Sequence, residues 1–134
     1  MLRRSSNSAK IKFFRLDYEL IMKRLKEYAE RVRSKGAKAV ILIGSLARGD
    51  YTAFSDADVV IIVDNTPKNP IERLKEFMDP MFPIDLEPRV YTTEEILKMA
   101  REKRRLIKEI IEYGILLIGD ERLIEKIKRE FSIK

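Results

Sequence analysis

The sequence contains no cysteine and no histidine. Thiol nucleophiles, disulfides, ordinary zinc sites and imidazole acid–base catalysis are therefore excluded together, and carboxylates and hydroxyls must carry any chemistry. A chain without cysteine suits a reducing compartment. Because the sequence shows neither a signal peptide nor an apolar run of about 18 residues, we expect a cytoplasmic protein with no membrane contact.

The chain is also poor in amides and rich in charge. Glutamine is absent and 37% of the residues are charged, a bias that is typical of thermophile proteins. A length of 134 residues is enough for one domain, which we place at residues 10–134 after a flexible basic arm at residues 1–9. The net charge of +6 could attract nucleic acid, and it could equally offset an acidic site and its nucleotide. Charge alone therefore does not identify a partner.

The most informative stretch is residues 39–63, in which two short apolar runs flank a polar loop. The runs at 39–43 and 59–63 are rich in β-branched and aliphatic residues, which is typical of strands buried on both faces. Asp56 and Asp58 are two residues apart, so at the entry of the second strand they point to the same face. Two carboxylates aimed at one spot repel each other unless a cation lies between them, and Mg²⁺ prefers such oxygen ligands.

These residues resemble the signature of a known family. Ile43-Gly44-Ser45, ten intervening residues and then Asp56-Ala57-Asp58 are similar to the motif of minimal nucleotidyltransferases related to DNA polymerase beta. The resemblance implies an α+β nucleotidyltransferase-like fold with a small mixed sheet packed with helices. It also implies that Ser45 and the backbone at Gly44 hold a triphosphate, that Asp56 and Asp58 bind Mg²⁺, and that a third carboxylate lies on a neighbouring strand.

Other motifs with similar glycines or aspartates do not match. Gly44 to Gly49 has the glycine spacing of a P-loop, but Asp50 and Tyr51 stand where lysine and serine or threonine are required. An EF-hand loop would continue with Asp or Asn and then glycine, where this chain has Val60 and Ile61.

A cation lies beside the predicted phosphate loop. Residues 46–49 can form a helical turn whose first N–H groups face a bound phosphate. Arg48 could bind that phosphate, and it could instead pair with Asp50.

The third carboxylate has two candidates on the predicted strand at 84–91, which Pro88 should force to an edge or a bulge. Asp85 and Glu87 are again two residues apart and share a face. The resemblance points to Asp85, since the family's third acid stands in a similar Ile-Asp setting, and Glu87 is the substitute. Glu87 could instead be an exposed residue paired with Arg89 or a nearby lysine.

Helices account for most of the remaining chain. Periodicity and capping residues predict helices at 10–34, from Pro70 or Ile71 to about Met78, from Thr92 to about Tyr113 and after Asp120, with a short strand at 115–118. The first helix has one apolar stripe, made of Phe14, Tyr18, Ile21, Leu25, Tyr28 and Val32. The third carries a basic face, made of Lys98, Arg101, Lys103, Arg104, Arg105 and Lys108.

The function that the resemblance implies is transfer of a nucleoside monophosphate onto a hydroxyl of a protein, an RNA or a small molecule. Two Mg²⁺ ions would be held by Asp56, Asp58 and Asp85, ATP is the expected donor, and pyrophosphate leaves. The alternative is an antitoxin-like module paired with a small helical HEPN-type protein. An RNA-binding role would need exposed aromatic side chains, for which Tyr51, Phe54 and Tyr91 are the candidates. The sequence leaves the acceptor and the oligomeric state open.

Overall fold

A computed structural model describes residues 2–66 and 69–133, with side chains from Tyr18 onward. Within these residues the chain forms helices on both faces of one mixed sheet, as the predicted α+β class requires. The elements in chain order are α1 (Leu2–Arg33), β1 (Ala37–Ile43), α2 (Gly44–Arg48), β2 (Ala57–Val63), α3 (Pro70–Phe77), β3 (Leu86–Thr92), α4 (Thr93–Arg101), α5 (Arg105–Tyr113), β4 (Ile115–Ile118) and α6 (Glu121–Ser132).

The sheet has the strand order β3-β2-β1-β4. β1 pairs antiparallel with β2 and with β4, whereas β2 and β3 run parallel. The two apolar runs, at 39–43 and 59–63, belong to the two inner strands of the sheet. Both faces of an inner strand are buried, which explains why these runs contain no polar residue. The predicted mixed sheet is confirmed.

Helix α1 covers one face of the sheet. The apolar stripe is buried as predicted at Ile21, Leu25, Tyr28 and Val32, whereas Phe14 lies outside the described side chains. The helix begins at Leu2, so the backbone of residues 2–9 is helical, and the predicted boundary between arm and domain at residue 10 stays a prediction. No proline or glycine occurs before Gly36, so no residue type in this segment opposes continuation of the helix.

Helices α4, α5 and α6 cover the other face. The single helix predicted from Thr92 to Tyr113 is wrong in one respect: α4 ends at Arg101 and α5 begins at Arg105. Between them Lys103 adopts a left-handed backbone with φ 59°. Both halves bury apolar residues, which are Ile96 and Ala100 in α4 and Ile107 and Ile110 in α5. Among the described residues, none of these helices has the length and apolar character needed to cross a membrane.

Strand β3 lies at the edge of the sheet, where a proline is tolerated. Of the two arrangements that the sequence predicts for Pro88, an edge or a bulge, the structure has the edge. The pairing continues without a register shift from Ala57 opposite Leu86 to Val63 opposite Thr92. An edge strand bonds on one side only, so a proline nitrogen that faces the open side removes no ladder bond.

Candidate active site

The end of β1 and the start of β2 meet at the site. Ile43 lies opposite Asp58, so the loop that follows β1 begins beside the second aspartate. Gly44 has φ +77°, and a Cβ at this position would lie 2.6 Å from Asp58 Oδ2. Both the backbone conformation and the space therefore require glycine here.

The next residue of the motif, Ser45, faces the connection between α2 and β2. Ser45 Oγ donates to Ser55 Oγ at 2.9 Å, and Ser55 Oγ also accepts from the Thr52 N–H at 2.8 Å. Ser55 thus ties the start of α2 to the turn that precedes Asp56. The loop also packs against α1, because the Tyr51 ring stacks on the Tyr18 ring at a centroid distance of 4.8 Å.

The three aromatic residues named as candidates for stacking on RNA bases differ in exposure. Tyr51 is half-buried against Tyr18 and Tyr91 is half-buried on β3. Phe54 is 93% exposed at the tip of the loop. Of the three predicted candidates, Phe54 alone has the exposure that stacking on an unpaired base requires.

Arg48 is engaged by two carboxylates. Its Nε lies 3.3 Å from Asp50 Oδ2, and its Nη1 donates to Glu109 Oε2 at 2.9 Å. The pairing with Asp50 that the sequence left open is therefore present. Glu109 Oε2 also accepts from the Gly44 N–H at 2.9 Å.

Sequence reasoning missed Glu109. It lies 61 residues from Arg48 on helix α5, and no motif surrounds it. A weak signal was available: Glu109 sits between the inward positions Ile107 and Ile110, so it lies at the margin of the buried face of its helix.

The carboxylates come together across β2 and β3. Asp58 and Glu87 are direct partners in the parallel register. The Glu87 carboxyl lies close enough to those of Asp56 and Asp58 to raise the pKa of both. Asp85 lies one residue before β3, where its backbone carbonyl accepts from the Ala57 N–H at 2.8 Å. Its charge acts on Asp56, but the structure brings Glu87, the predicted substitute, close to both aspartates.

This geometry makes Glu87 as good a candidate for the third acid as Asp85, and the choice between them stays a prediction. The regular pairing of β3 shows that Pro88 does not displace Glu87 from its place opposite Asp58. Because residues opposite each other in a sheet project to the same side, Glu87 reaches the face on which Asp58 lies.

The clustering raises the pKa of both aspartates. The pKa of Asp58 is raised to about 6, first by burial, then by the neighbouring Glu87 carboxyl and by the charge of Asp56. Arg89, two residues along β3, acts in the opposite direction. Partial burial and then the carboxylates of Glu87 and Asp85 raise the pKa of Asp56. The site concentrates negative charge that a cation would relieve.

The donor set suits a hard divalent cation, since it consists of carboxylate oxygens alone. Within the described residues, no group of three or more acidic side chains is already arranged around a common ion position. The neighbouring carboxyls instead raise the pKa of Asp56 and Asp58. A bound Mg²⁺ would neutralise this repulsion and favour the ionised carboxylates.

Comparison with known proteins gives the family of this chain. Residues 25–130 match the nucleotidyltransferase domain family. The chain is 30% identical over 111 residues to a bifunctional uridylyltransferase/uridylyl-removing enzyme of Methylococcus capsulatus, a match covering 79% of this chain and 12% of the relative. It is 33% identical over 67 residues to the "Putative protein adenylyltransferase MJ1305" of Methanocaldococcus jannaschii, covering 48% and 46%. The chain thus spans less than half the length of these relatives.

Solved structures share the fold at low sequence identity. A mutant of the toxin–antitoxin MntA-HpeT superposes with a TM-score of 0.56 and 14% identity, covering 83% of this chain and 84% of that one. A toxin–antitoxin with AMP-PNP gives a TM-score of 0.55 and 16% identity, covering 79% and 86%. The match over residues 25–130 includes the Gly-Ser loop and the acidic strands, and by it the chain belongs to the nucleotidyltransferase domain family.

Proposed function

We propose that this protein transfers a nucleoside monophosphate, with ATP as donor, to a hydroxyl group of an acceptor. The observation that carries the proposal is the pairing of Glu87 with Asp58 across β3 and β2, which gathers the acids next to the Gly44-Ser45 loop. This arrangement supports Glu87 as the third acid beside the aspartate pair. The acids would hold Mg²⁺, which supplies neutralisation of the charge that develops on the entering and leaving oxygens.

The loop residues would bind the triphosphate. Ser45 has a hydroxyl at the start of α2, and Arg48 projects from the last turn of the same short helix. The Ser45 hydroxyl would exchange its bond with Ser55 for one to a phosphate oxygen, and Arg48 would exchange a carboxylate for a phosphate. Positioning of the donor is the contribution of these side chains.

The transfer itself requires one bond to form and one to break. The acceptor oxygen attacks the α-phosphorus, the bond from this phosphorus to the bridging oxygen breaks, and pyrophosphate leaves. Glu87 is placed beside the aspartates and would take the proton of the acceptor hydroxyl. Asp85, which is exposed like Glu87 and whose charge also acts on Asp56, is the alternative for this role.

The choice of ATP and of a protein acceptor rests on similarity. One relative is named as a protein adenylyltransferase, and one structure with the same fold contains AMP-PNP. We therefore favour AMP transfer to a protein hydroxyl, ahead of an RNA or small-molecule acceptor.

A second candidate function is that of an antitoxin-like partner. Two structures with this fold are toxin–antitoxin pairs. We propose that a small helical protein of the HEPN type binds this chain, and that it is either held inactive or adenylylated by it. Activity and partner binding are compatible, since a partner can be the acceptor.

The first test is incubation of the purified protein with Mg²⁺ and each of the four labelled nucleoside triphosphates, with and without cell extract. Labelled AMP should appear on a macromolecule in the presence of ATP. An Asp56→Asn/Asp58→Asn double variant should lose this label by orders of magnitude while remaining folded. Equal labelling by the parent and the double variant would contradict the proposed role of the acids.

The partner proposal needs a separate readout. Co-expression with a small helical HEPN-type protein should give a complex that survives gel filtration. Binding that persists in the double variant, with label lost, would assign partner recognition and transfer to different parts of the surface. If no such complex forms with the parent or the variant, the antitoxin-like function is rejected and the transferase is left as the sole proposal.

A further inference from the structure

One carboxylate oxygen accepts hydrogen bonds from two donors that we propose for the triphosphate, the Gly44 N–H and the Arg48 guanidinium. Glu109 Oε2 accepts from the Gly44 N–H and from Arg48 Nη1, both at 2.9 Å. The Glu109 side chain is 27% exposed and the Arg48 side chain 36%. The contact thus lies at the rim of the site, where an approaching ligand can reach it.

Helix α5 brings Glu109 to the face of the sheet on which the acids lie. Ile107 and Ile110 pack in the same core cluster as Ile43, Val60 and Ile62. Asp58 precedes Val60 on the same side of β2. Glu109 therefore stands beside the Gly-Ser loop on the side from which a nucleotide would approach Asp58.

A carboxylate oxygen and a phosphate oxygen use the same donors. Both accept charge-assisted hydrogen bonds from backbone N–H groups and from guanidinium. A triphosphate bound at Gly44 and Arg48 would need these two donors, so the Glu109 oxygen and a phosphate oxygen exclude each other. If Glu109 kept its position, its charge would also repel the nucleotide within a few ångströms.

We infer that Glu109 is an affinity-determining residue that occupies the place of a phosphate oxygen until a triphosphate displaces it. This inference rests on the proposed function, because it takes Gly44 and Arg48 as triphosphate ligands. Ile107 and Ile110 fix the helix, so displacement is a rotation of the Glu109 side chain toward solvent. Arg48 then exchanges one anionic partner for another. The cost of this exchange weakens triphosphate binding and leaves binding of a nucleoside monophosphate unaffected.

Two variants separate charge from anchoring. Glu109→Gln keeps an oxygen that can accept from Gly44 and Arg48 but removes the negative charge, whereas Glu109→Ala removes both. The matched control is Glu112→Gln, which changes an exposed glutamate on the same helix whose cation partner, Lys108, lies 3.9 Å away. Calorimetry would compare Mg²⁺–ATP, inorganic triphosphate and AMP as ligands.

Glu109→Gln should tighten binding of Mg²⁺–ATP and of inorganic triphosphate by about 10-fold. The variant removes the repulsion between the Glu109 carboxylate and the phosphate, which at a partly exposed site weakens binding by roughly this factor. Glu109→Ala should tighten them at least as much, and AMP binding should stay unchanged. Thermal unfolding adds a second readout: Glu109→Gln should unfold at a lower temperature than the parent without ligand and gain more from added ATP. Glu112→Gln should match the parent in each measurement.

Unchanged or weaker triphosphate binding in Glu109→Gln would overturn the inference and make Glu109 a positioning residue for Arg48. That result would leave the proposed function intact if Ser45→Ala still weakens ATP binding. If neither the parent nor Glu109→Gln binds any triphosphate, the proposed function and this inference both fail.

Discussion

Replacement of Asp58 by asparagine should stabilise the metal-free protein at neutral pH. The pKa of Asp58 is raised to about 6 by burial and by Glu87, so its ionised form is less favourable in the folded chain than in the unfolded chain. At acidic pH the carboxyl is protonated in both states and costs nothing. As pH rises from the ordinary value of 3.8 through about 6, the unfolded chain ionises first and stability is lost. Asparagine does not ionise, and its amide can still donate to Glu87.

The size of the effect follows from the pKa. A rise from 3.8 to about 6 corresponds to roughly 3 kcal/mol if it acted in full. Asp58 is partly exposed, and solvent screens such interactions, so we expect about 1 to 2 kcal/mol. For a chain of this length, each kcal/mol shifts the midpoint of thermal unfolding by about 3 to 5 °C.

Thermal and urea unfolding should be followed at pH 4 and at pH 8 with a chelator present. Asp58→Asn should be more stable than the parent at pH 8, and this difference should be much smaller at pH 4, where the carboxyl is protonated in the folded chain and only partly ionised in the unfolded chain. Asp64→Asn is a suitable control, because Asp64 is an exposed aspartate just past the other end of the same strand and pairs with Lys38. Addition of Mg²⁺ and ATP should make the parent more stable than Asp58→Asn, because only the parent binds these ligands. The reasoning is refuted if Asp58→Asn is destabilised at pH 8, or if its difference from the parent is the same at both pH values.

Three further predictions concern single positions of the site. Ser45→Ala removes one hydrogen bond to a charged group and should weaken ATP binding by roughly 10- to 150-fold in calorimetry; affinity equal to that of the parent would place the triphosphate elsewhere. Glu87→Gln should abolish labelling while Asp85→Asn lowers it only modestly, and the opposite ranking in the transfer assay would restore the sequence-based preference. Gly44→Ala should displace Asp58 and abolish both transfer and metal binding. Gly36→Ala is the control: this position has φ +105° and nothing within 4 Å of an added Cβ, so the variant should have the backbone strain but keep transfer and metal binding. Equal activity loss in the two glycine variants would show that strain, and not contact with the carboxylate, is responsible.

The sequence by itself determined the central part of the site, because local rules act there. Asp56 and Asp58 share a face since side chains alternate along any strand. The apolar runs at 39–43 and 59–63 had to be buried, and they are the two inner strands of the sheet. The turn after β1 was likewise predictable, because glycine at position 44 marks a backbone of positive φ.

Local rules were insufficient where one backbone conformation competes with another. The apolar positions from Ile96 to Ile110 fit one helix, yet the chain breaks at Lys103. The Lys103 ammonium donates to the backbone carbonyls of Phe131 and Ile133 at the end of α6. The break thus coincides with a contact between Lys103 and the end of α6, about 30 residues further along the chain. Hydrophobic periodicity is a local pattern and does not predict such a contact.

Only the tertiary structure decided which acids meet. Asp85 and Glu87 differ by two residues, and the parallel register of β3 against β2 places Glu87 opposite Asp58. That register depends on the packing of two strands separated by α3, so no local signal specifies it. The contact of Glu109 with Gly44 and Arg48 has the same origin. Packing of α5 on the sheet brings together residues 61 to 65 positions apart, because burial of apolar faces fixes the relative positions of these elements.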